Sequence, residues 1–364
     1  MEQVDLFLLN SDEITRVQTR LHLWYKQNCR LLPWREVSDP YLIWISEVIL
    51  QQTRVDQALD YYQKFVTQFP TVVHLASADE NSVLKCWQGL GYYSRARNLH
   101  ASAKIIATHF NGEFPKTYAE IRQLKGVGDY TAAAICSFAY NLPYAVLDGN
   151  VYRFLSRYFA LETPIDTIAG KHEFSHLADL LLNKENPALH NQAMMEMGAI
   201  QCVVKNPKCE LCPLNDSCKA RKYGLVDLYP IKSKKVKTRN RYFYYFFIKY
   251  KESIFLRQRS EADVWRKLYE FPLFEADFSI SSEEVVQHES VQKFLKNGFL
   301  LKRISNVKKH VLSHQHIYAQ CFYVEIDEVN AYLLDNYECV GFNDVENYPI
   351  SRLVEIFMNE YLEM

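Results

Sequence analysis

The chain runs to 364 residues, 48% apolar and 23% charged, ordinary for a soluble globular protein and long enough for two hydrophobic cores. A formal charge of −1 excludes a global basic field, so any nucleic-acid contact must come from local clusters. No apolar run approaches the ~20 residues that span a bilayer, and Met1-Glu2-Gln3-Val4-Asp5 lacks the basic start of a signal peptide, so the expected setting is intracellular and reducing, without a membrane.

Residues 1–225 read as mostly helical, with breaks at Asp39-Pro40, Phe69-Pro70 and Phe114-Pro115. Tyr41-Leu42-Ile43-Trp44-Ile45-Ser46-Glu47-Val48-Ile49-Leu50-Gln51-Gln52 is a nearly continuous apolar helix holding one acid, Glu47. Taking water from a carboxylate raises its pKa, which suits a general acid near neutrality; a glutamate facing solvent or paired with an arginine is the equal alternative. In Leu124-Lys125-Gly126-Val127-Gly128-Asp129-Tyr130-Thr131-Ala132, two glycines around a valine permit a tight hairpin between helices. The helix that follows opens with free N–H groups that can grip a phosphate without reading sequence, although many plain helix–helix turns contain Gly-x-Gly. Asp148-Gly149-Asn150 reads first as a helix cap, and second as an ionised carboxylate facing Glu47.

Cys202-x6-Cys209-x2-Cys212-x5-Cys218 places four thiols within seventeen residues. Zinc ribbons usually offer two C-x2-C knuckles and this segment has one, so the spacing favours a [4Fe–4S] cluster over zinc. Cys29, Cys86, Cys136, Cys321 and Cys339 are scattered and read as small buried hydrophobes. From Lys232 to Arg241 there are six cations and no anion, and Lys302-Arg303 with Lys308-Lys309 form a second basic cluster. Each suits phosphate or a merely solvated stretch. Beyond it, Tyr242-Phe243-Tyr244-Tyr245-Phe246-Phe247-Ile248 and Ser253-Ile254-Phe255-Leu256 are β-rich, and helical patterns return near 283–297 and 349–363. The expected organisation is a mostly α domain over 1–225, a basic linker over 226–241 and a smaller α+β domain over 242–364.

Taken in order, these segments resemble the helix-hairpin-helix DNA glycosylases, specifically the A/G-specific adenine glycosylases of the MutY type. The likeness starts at Leu32-Pro33-Trp34-Arg35 and continues through Ser46-Glu47-Val48-Ile49-Leu50-Gln51-Gln52-Thr53. It then takes in Gly89-Leu90-Gly91-Tyr92-Tyr93-Ser94-Arg95-Ala96-Arg97-Asn98-Leu99, the hairpin, Asp148-Gly149-Asn150 and the four cysteines. The resemblance implies an N-terminal helix-hairpin-helix glycosylase domain with an iron–sulfur loop and a smaller Nudix-like C-terminal domain. It implies a monomer acting on double-stranded DNA that carries A:8-oxoguanine or A:G mispairs.

By the same resemblance Glu47 protonates adenine N7, while ionised Asp148 stabilises or briefly captures the oxocarbenium-like sugar. Tyr130 and Asn150 help hold that site, Trp34, Arg35 and Gln192 line the adenine pocket, and Gln52 and Tyr92 fill the space the base leaves. Gly126 and Gly128 grip the DNA backbone. Cys202, Cys209, Cys212 and Cys218 hold a [4Fe–4S] cluster, a brace that presents Lys205, Lys208, Lys219 and Arg221 to phosphate. The nearest alternative is an endonuclease III-like glycosylase/lyase, in which a lysine follows the hairpin; here that position is Tyr130. Lys125 stands where proline is common.

Leu256-Arg257-Gln258-Arg259, Trp265 and Tyr269-Glu270-Phe271-Pro272 look like the opening of a Nudix domain, but no R-E-x-x-E-E helix lies between Pro272 and Ser290. That speaks against a nucleotide pyrophosphohydrolase. Leu312-Ser313-His314 stands where the family carries Phe-Ser-His, which implies that Ser313 and His314 inspect the opposite guanine. A non-catalytic mismatch-binding protein would share the DNA contacts but has no need of the Glu47 and Asp148 pair.

Overall fold

The computed structural model describes residues 10–233, 238–260, 263–296 and 298–362; Met1-Glu2-Gln3-Val4-Asp5, and Lys234, Lys235 and Lys237 of the basic stretch, lie outside them. Up to Lys222 the chain is helical: α1 (Ser11–Asn28), α2 (Pro40–Leu50), α3 (Val55–Gln68), α4 (Val72–Ser77), α5 (Glu80–Cys86) and α6 (Ser94–His109) are followed by α7 (Tyr118–Gln123), α8 (Asp129–Tyr140), α9 (Gly149–Phe159), α10 (Ile168–Leu181), α11 (Pro187–Glu196) and α12 (Lys219–Lys222). After it come the strands β1 (Arg239–Tyr250), β2 (Ser253–Gln258), β3 (Tyr269–Glu270), β4 (Leu273–Ala276), β5 (Phe299–Ile304), β6 (Lys308–Val311), β7 (Gln315–Ile326) and β8 (Glu338–Gly341). Between and beyond them lie α13 (Ser282–Gln287), α14 (Glu289–Leu295), α15 (Ala331–Asn336) and α16 (Arg352–Leu362). Contacts divide the chain into two compact units, one drawn from Met1–Ala76 and Ala101–Lys234, the other from Ser77–His100 and Lys235–Met364.

In the first unit, α2 starts where its sequence says it should. Pro40 occupies the first turn, and the Asp39 carboxylate accepts from the Tyr41 N–H at 2.8 Å. It is apolar on every side because it is buried on every side, packed against both α3 and α8. A second core gathers Leu21, Phe154, Leu155, Phe174, Leu177 and Met194 from α1 and α9 to α11, with Met197 just beyond α11, where each buried side chain of this size stabilises the fold by about 1.5–3 kcal/mol. Between α7 and α8 the chain turns at Gly126, whose φ of 78° an L side chain rarely adopts, and Gly128 caps α8 without a side chain. The far end of α11 loosens into a π-helical segment, Met197–Gln201, in which Gly198 lies directly against Asn150; a Cβ at Gly198 would overlap the Asn150 carbonyl oxygen.

The stretch read as a linker starts as part of this unit. Ile231 O accepts from the Ile165 N–H at 3.0 Å, and Asp166 Oδ1 accepts from the Ser233 N–H at 2.8 Å. Its last residues, Arg239 to Arg241, already belong to β1.

The second unit is built on a mixed sheet in the order β3-β2-β1-β7-β5, with β4 beside β1, β6 beside β7 and β8 beside β2. The two long strands, β1 and β7, run parallel from Arg239↔Gln315 to Lys249↔Glu325. Phe246, Ile248, Phe322 and Val324 on one face pack with Val291, Phe294 and Leu333. On this unit several charged side chains pack against one another. Arg241 donates to Asp263 and Glu275 at 2.6–2.8 Å, and Arg259 bonds both Asp263 and the buried Glu270. Residues 77–100 join this unit: Tyr93 Oη donates to Ile350 O at 3.4 Å, Arg97 Nη1 to Arg266 O at 2.8 Å, and Gln88 Nε2 to Glu355 Oε1 at 3.3 Å.

Candidate active site

Eight of the residues singled out from the sequence, Trp34, Arg35, Glu47, Gln52, Tyr130, Asp148, Asn150 and Gln192, line a single cleft of the first unit with about 2050 Å³ of empty space. Glu47, 4% exposed, comes from α2 with its carboxylate under Tyr130, whose hydroxyl donates to Glu47 Oε2 at 2.5 Å. Burial pushes the Glu47 carboxyl up to about 7; the Asp148 charge adds to the rise, and the Tyr130 hydrogen bond and Arg35 oppose it. The exposed or arginine-paired glutamate is thereby set aside.

Asp148 is the N-cap of α9. Its Oδ1 accepts from the N–H groups of Asn150 and Val151 at 2.9 and 2.8 Å, and its Oδ2 from Asn150 Nδ2 at 2.7 Å. Burial raises its pKa, against the pull of those donors and of Arg153. The cap and the second carboxylate are therefore one residue. Asn150 is held in turn by Arg153, whose Nη2 donates to Asn150 Oδ1 and to Gly198 O, and whose Nε donates to Cys202 O.

Sequence reading missed the most elaborate part of the cleft. Glu196, with no side-chain exposure, receives three hydrogen bonds from Arg30 and two from Arg35, between 2.6 and 3.1 Å. Burial alone would raise its pKa, but the two guanidinium groups hold it down at about 2. In the sequence it is one acid of an ordinary helical run, and its partners lie more than 160 residues away. Gln192 is fixed as well, its Oε1 accepting from the Tyr25 hydroxyl at 2.7 Å.

Among the described residues no three His, Cys, Asp or Glu side chains are set as ligands of a single metal ion. The four cysteines line one small pocket, together with Phe154, Tyr158, Leu214 and Val226. Arg157, buried, points Nη1 at Cys202 Sγ (3.5 Å) and donates to the carbonyls of Val203, Val204, Val226 and Tyr229. An apolar pocket lined by four thiols and two guanidinium groups, Arg157 and Arg221, suits an anionic thiolate-held cluster. Lys205 and Lys208 are exposed beside it, whereas Arg221 pairs with Glu210 at 2.8 Å and is not simply offered to solvent.

Gln52 and Tyr92 both hold left-handed backbones, φ 58° and 48°, a costly state for non-glycine residues that clusters at working sites. Tyr92, 48% exposed, belongs to the second unit, where its hydroxyl lies 2.7 Å from that of Ser313. Ser313 and His314, both exposed, form the tight turn between β6 and β7. Of the basic residues before them, Lys308 is paired with Glu360 at 2.6 Å and Lys309 lies over the Tyr318 ring. Lys302 is likewise paired, with Glu325 at 2.9 Å.

Residues 45–177 match the family described as HhH-GPD superfamily base excision DNA repair protein, residues 202–222 the iron–sulfur binding domain of endonuclease III, and residues 244–360 the NUDIX domain. The adenine DNA glycosylase of Buchnera aphidicola subsp. Baizongia pistaciae is 36% identical over 355 residues, covering 93% of this chain and 95% of that protein. The human adenine DNA glycosylase is 38% identical over 218 residues, covering 57% of this chain and 40% of the human one. An endonuclease III trapped in a covalent complex with DNA superposes with a TM-score of 0.52 at 21% identity, over 60% of this chain and all of that one, a likeness of fold.

Proposed function

The chain belongs to the adenine DNA glycosylases of the helix-hairpin-helix base-excision-repair superfamily, and from that premise we propose that it excises adenine standing opposite 8-oxoguanine or guanine in duplex DNA. It is a hydrolase of N-glycosidic bonds with a [4Fe–4S] cluster. The observation that carries the reading is the carboxylate pair: Glu47 stays protonated up to about pH 7 beside a carboxylate that three N–H donors address.

Adenine leaves the stack at a cost of a few kcal/mol and enters the cleft. Two acids that interact in a buried site do not ionise together, and the one met by N–H donors and Arg153 is the better anion. Asp148 is therefore the carboxylate that faces the cationic sugar, and Glu47 the acid that protonates N7 so that the base leaves neutral. Because Tyr130 donates to Oε2, the proton of Glu47 belongs on Oε1. Glu196, ionised and fully engaged by Arg30 and Arg35, fixes the Arg35 guanidinium in the wall of the cleft. Gln52 and Tyr92 occupy the vacated duplex space, Gly126 and Gly128 open the N-terminus of α8 to a phosphate, and Ser313 with His314 sense the N7–H and O8 of oxidised guanine. Cys202, Cys209, Cys212 and Cys218 hold the cluster, which supplies a rigid brace for the loop bearing Lys205 and Lys208. The chain acts as a monomer.

The lyase alternative is disfavoured because Tyr130 has no amine to form a Schiff base. The experiment is incubation with duplexes carrying A opposite 8-oxoguanine, G, C or T. Strands should break only after alkali, with the first two preferred. Breakage without alkali, or equal excision from all four, would reject the proposal.

A further inference from the structure

Tyr25, on α1, is outside the lining of the cleft, yet it touches two residues that line it. Its hydroxyl donates to Gln192 Oε1 at 2.7 Å, and the Arg35 guanidinium stands over its ring, 5.7 Å from the centroid. A terminal amide has two unlike ends, an acceptor oxygen and a donor NH2. With Oε1 engaged by Tyr25, the end left to the cleft is Nε2. The cation over the ring draws on the same π electrons that make the phenol oxygen basic, which favours this hydroxyl as donor rather than acceptor. Were the amide reversed, its NH2 would be spent on the phenol and a carbonyl would face the base.

We infer that Tyr25 is a positioning residue that holds Gln192 with its N–H donors toward the flipped base, and so sets which purines the cleft accepts. The inference deepens the adenine-excision reading and rests on it. The cleft then offers the base an N–H donor from Gln192. Adenine presents the complement, a ring-nitrogen acceptor beside an amine. Hypoxanthine presents the reverse on that edge, a ring N–H beside a carbonyl. Tyr25→Phe keeps the ring under Arg35 and removes only the hydroxyl, so the amide is free to turn over.

The test is single-turnover excision of adenine and of hypoxanthine, each opposite 8-oxoguanine, by the full-length protein, Tyr25→Phe, Gln192→Leu and the double variant. Tyr25→Phe should slow adenine excision about tenfold, the effect of one lost hydrogen bond, with little change for hypoxanthine. In the Gln192→Leu background the same change should cost less than twofold. Duplex affinity and iron content should stay at the parent level. Gln192→Glu, which still accepts from Tyr25 but has no NH2, should lose the same preference, and this arm stands even if Tyr25→Phe folds poorly. The inference is overturned if Tyr25→Phe slows both bases equally, if its cost is the same in the Gln192→Leu background, or if Gln192→Glu keeps the preference. A parent protein that removes adenine from no duplex would instead overturn the functional reading.

Discussion

Glu47 draws its acidity from burial, so its chemistry should follow its proton. Below about pH 7 the carboxyl is protonated and competent; as pH rises through that value the proton is lost. The single-turnover rate should therefore fall tenfold per unit above about 7, and fall again in acid as Asp148, whose pKa burial raises, takes up a proton. Glu47→Gln should leave duplex binding nearly intact and slow excision by at least about 10²–10⁴-fold; a variant within threefold of the parent would retire Glu47 as the acid. Glu196 has the opposite linkage. Its folded pKa, about 2, lies below the ordinary carboxylate value, so the stability it lends is present above pH 4.5 and lost as pH falls toward 2. Glu196→Gln leaves Arg30 and Arg35 without their anion and should lower stability by about 1–3 kcal/mol, because Arg30 is partly exposed. Urea titration at pH 7 measures it, and an unchanged midpoint would show that the two arginines find other partners.

Among the elements, α9 and the π-helical end of α11 set the active-site geometry together, because Gly198 and Asn150 meet without room for a methyl group. Gly198→Ala should push the first turn of α9, and Asp148 with it, off station. A displacement near 1 Å costs about 10²-fold in rate, while the four cysteines should still yield about four iron atoms per chain. Parent-like excision by Gly198→Ala would mean that the two segments part without consequence. This contact also marks where sequence reading stops. Glu47 is legible as the lone acid of an apolar helix, and Asp148 as a cap, because both signals are local. The clamp on Glu196, the Tyr25 bond to Gln192 and the Gly198 contact join residues 48 to 167 positions apart, and no local pattern announces them. The sheet divides the same way: β1 and β2 stand out by composition, but the parallel pairing of β1 with β7 spans 76 residues.

For the whole molecule the question is how a normal base is known to be in the wrong place. The turn that carries Ser313 and His314 is exposed, and the lysines before it are already engaged with Glu360 and Tyr318, so it is better furnished for reading than for general phosphate affinity. Ser313→Ala with His314→Ala should reduce the preference for 8-oxoguanine over guanine by about 1–3 kcal/mol, with excision of A opposite G nearly unchanged. Equal loss on both duplexes would show that the turn holds DNA without reading it. The placement of residues 77–100 bears on how such proteins can be recombined. Tyr92, Gln88, Tyr93 and Arg97 have their partners among residues 266–355, although they lie early in the chain. A chimaera spliced only at the linker would give those four side chains a foreign neighbour. Exchange of the C-terminal part between relatives should therefore succeed only when residues 77–100 travel with it as one inherited cassette.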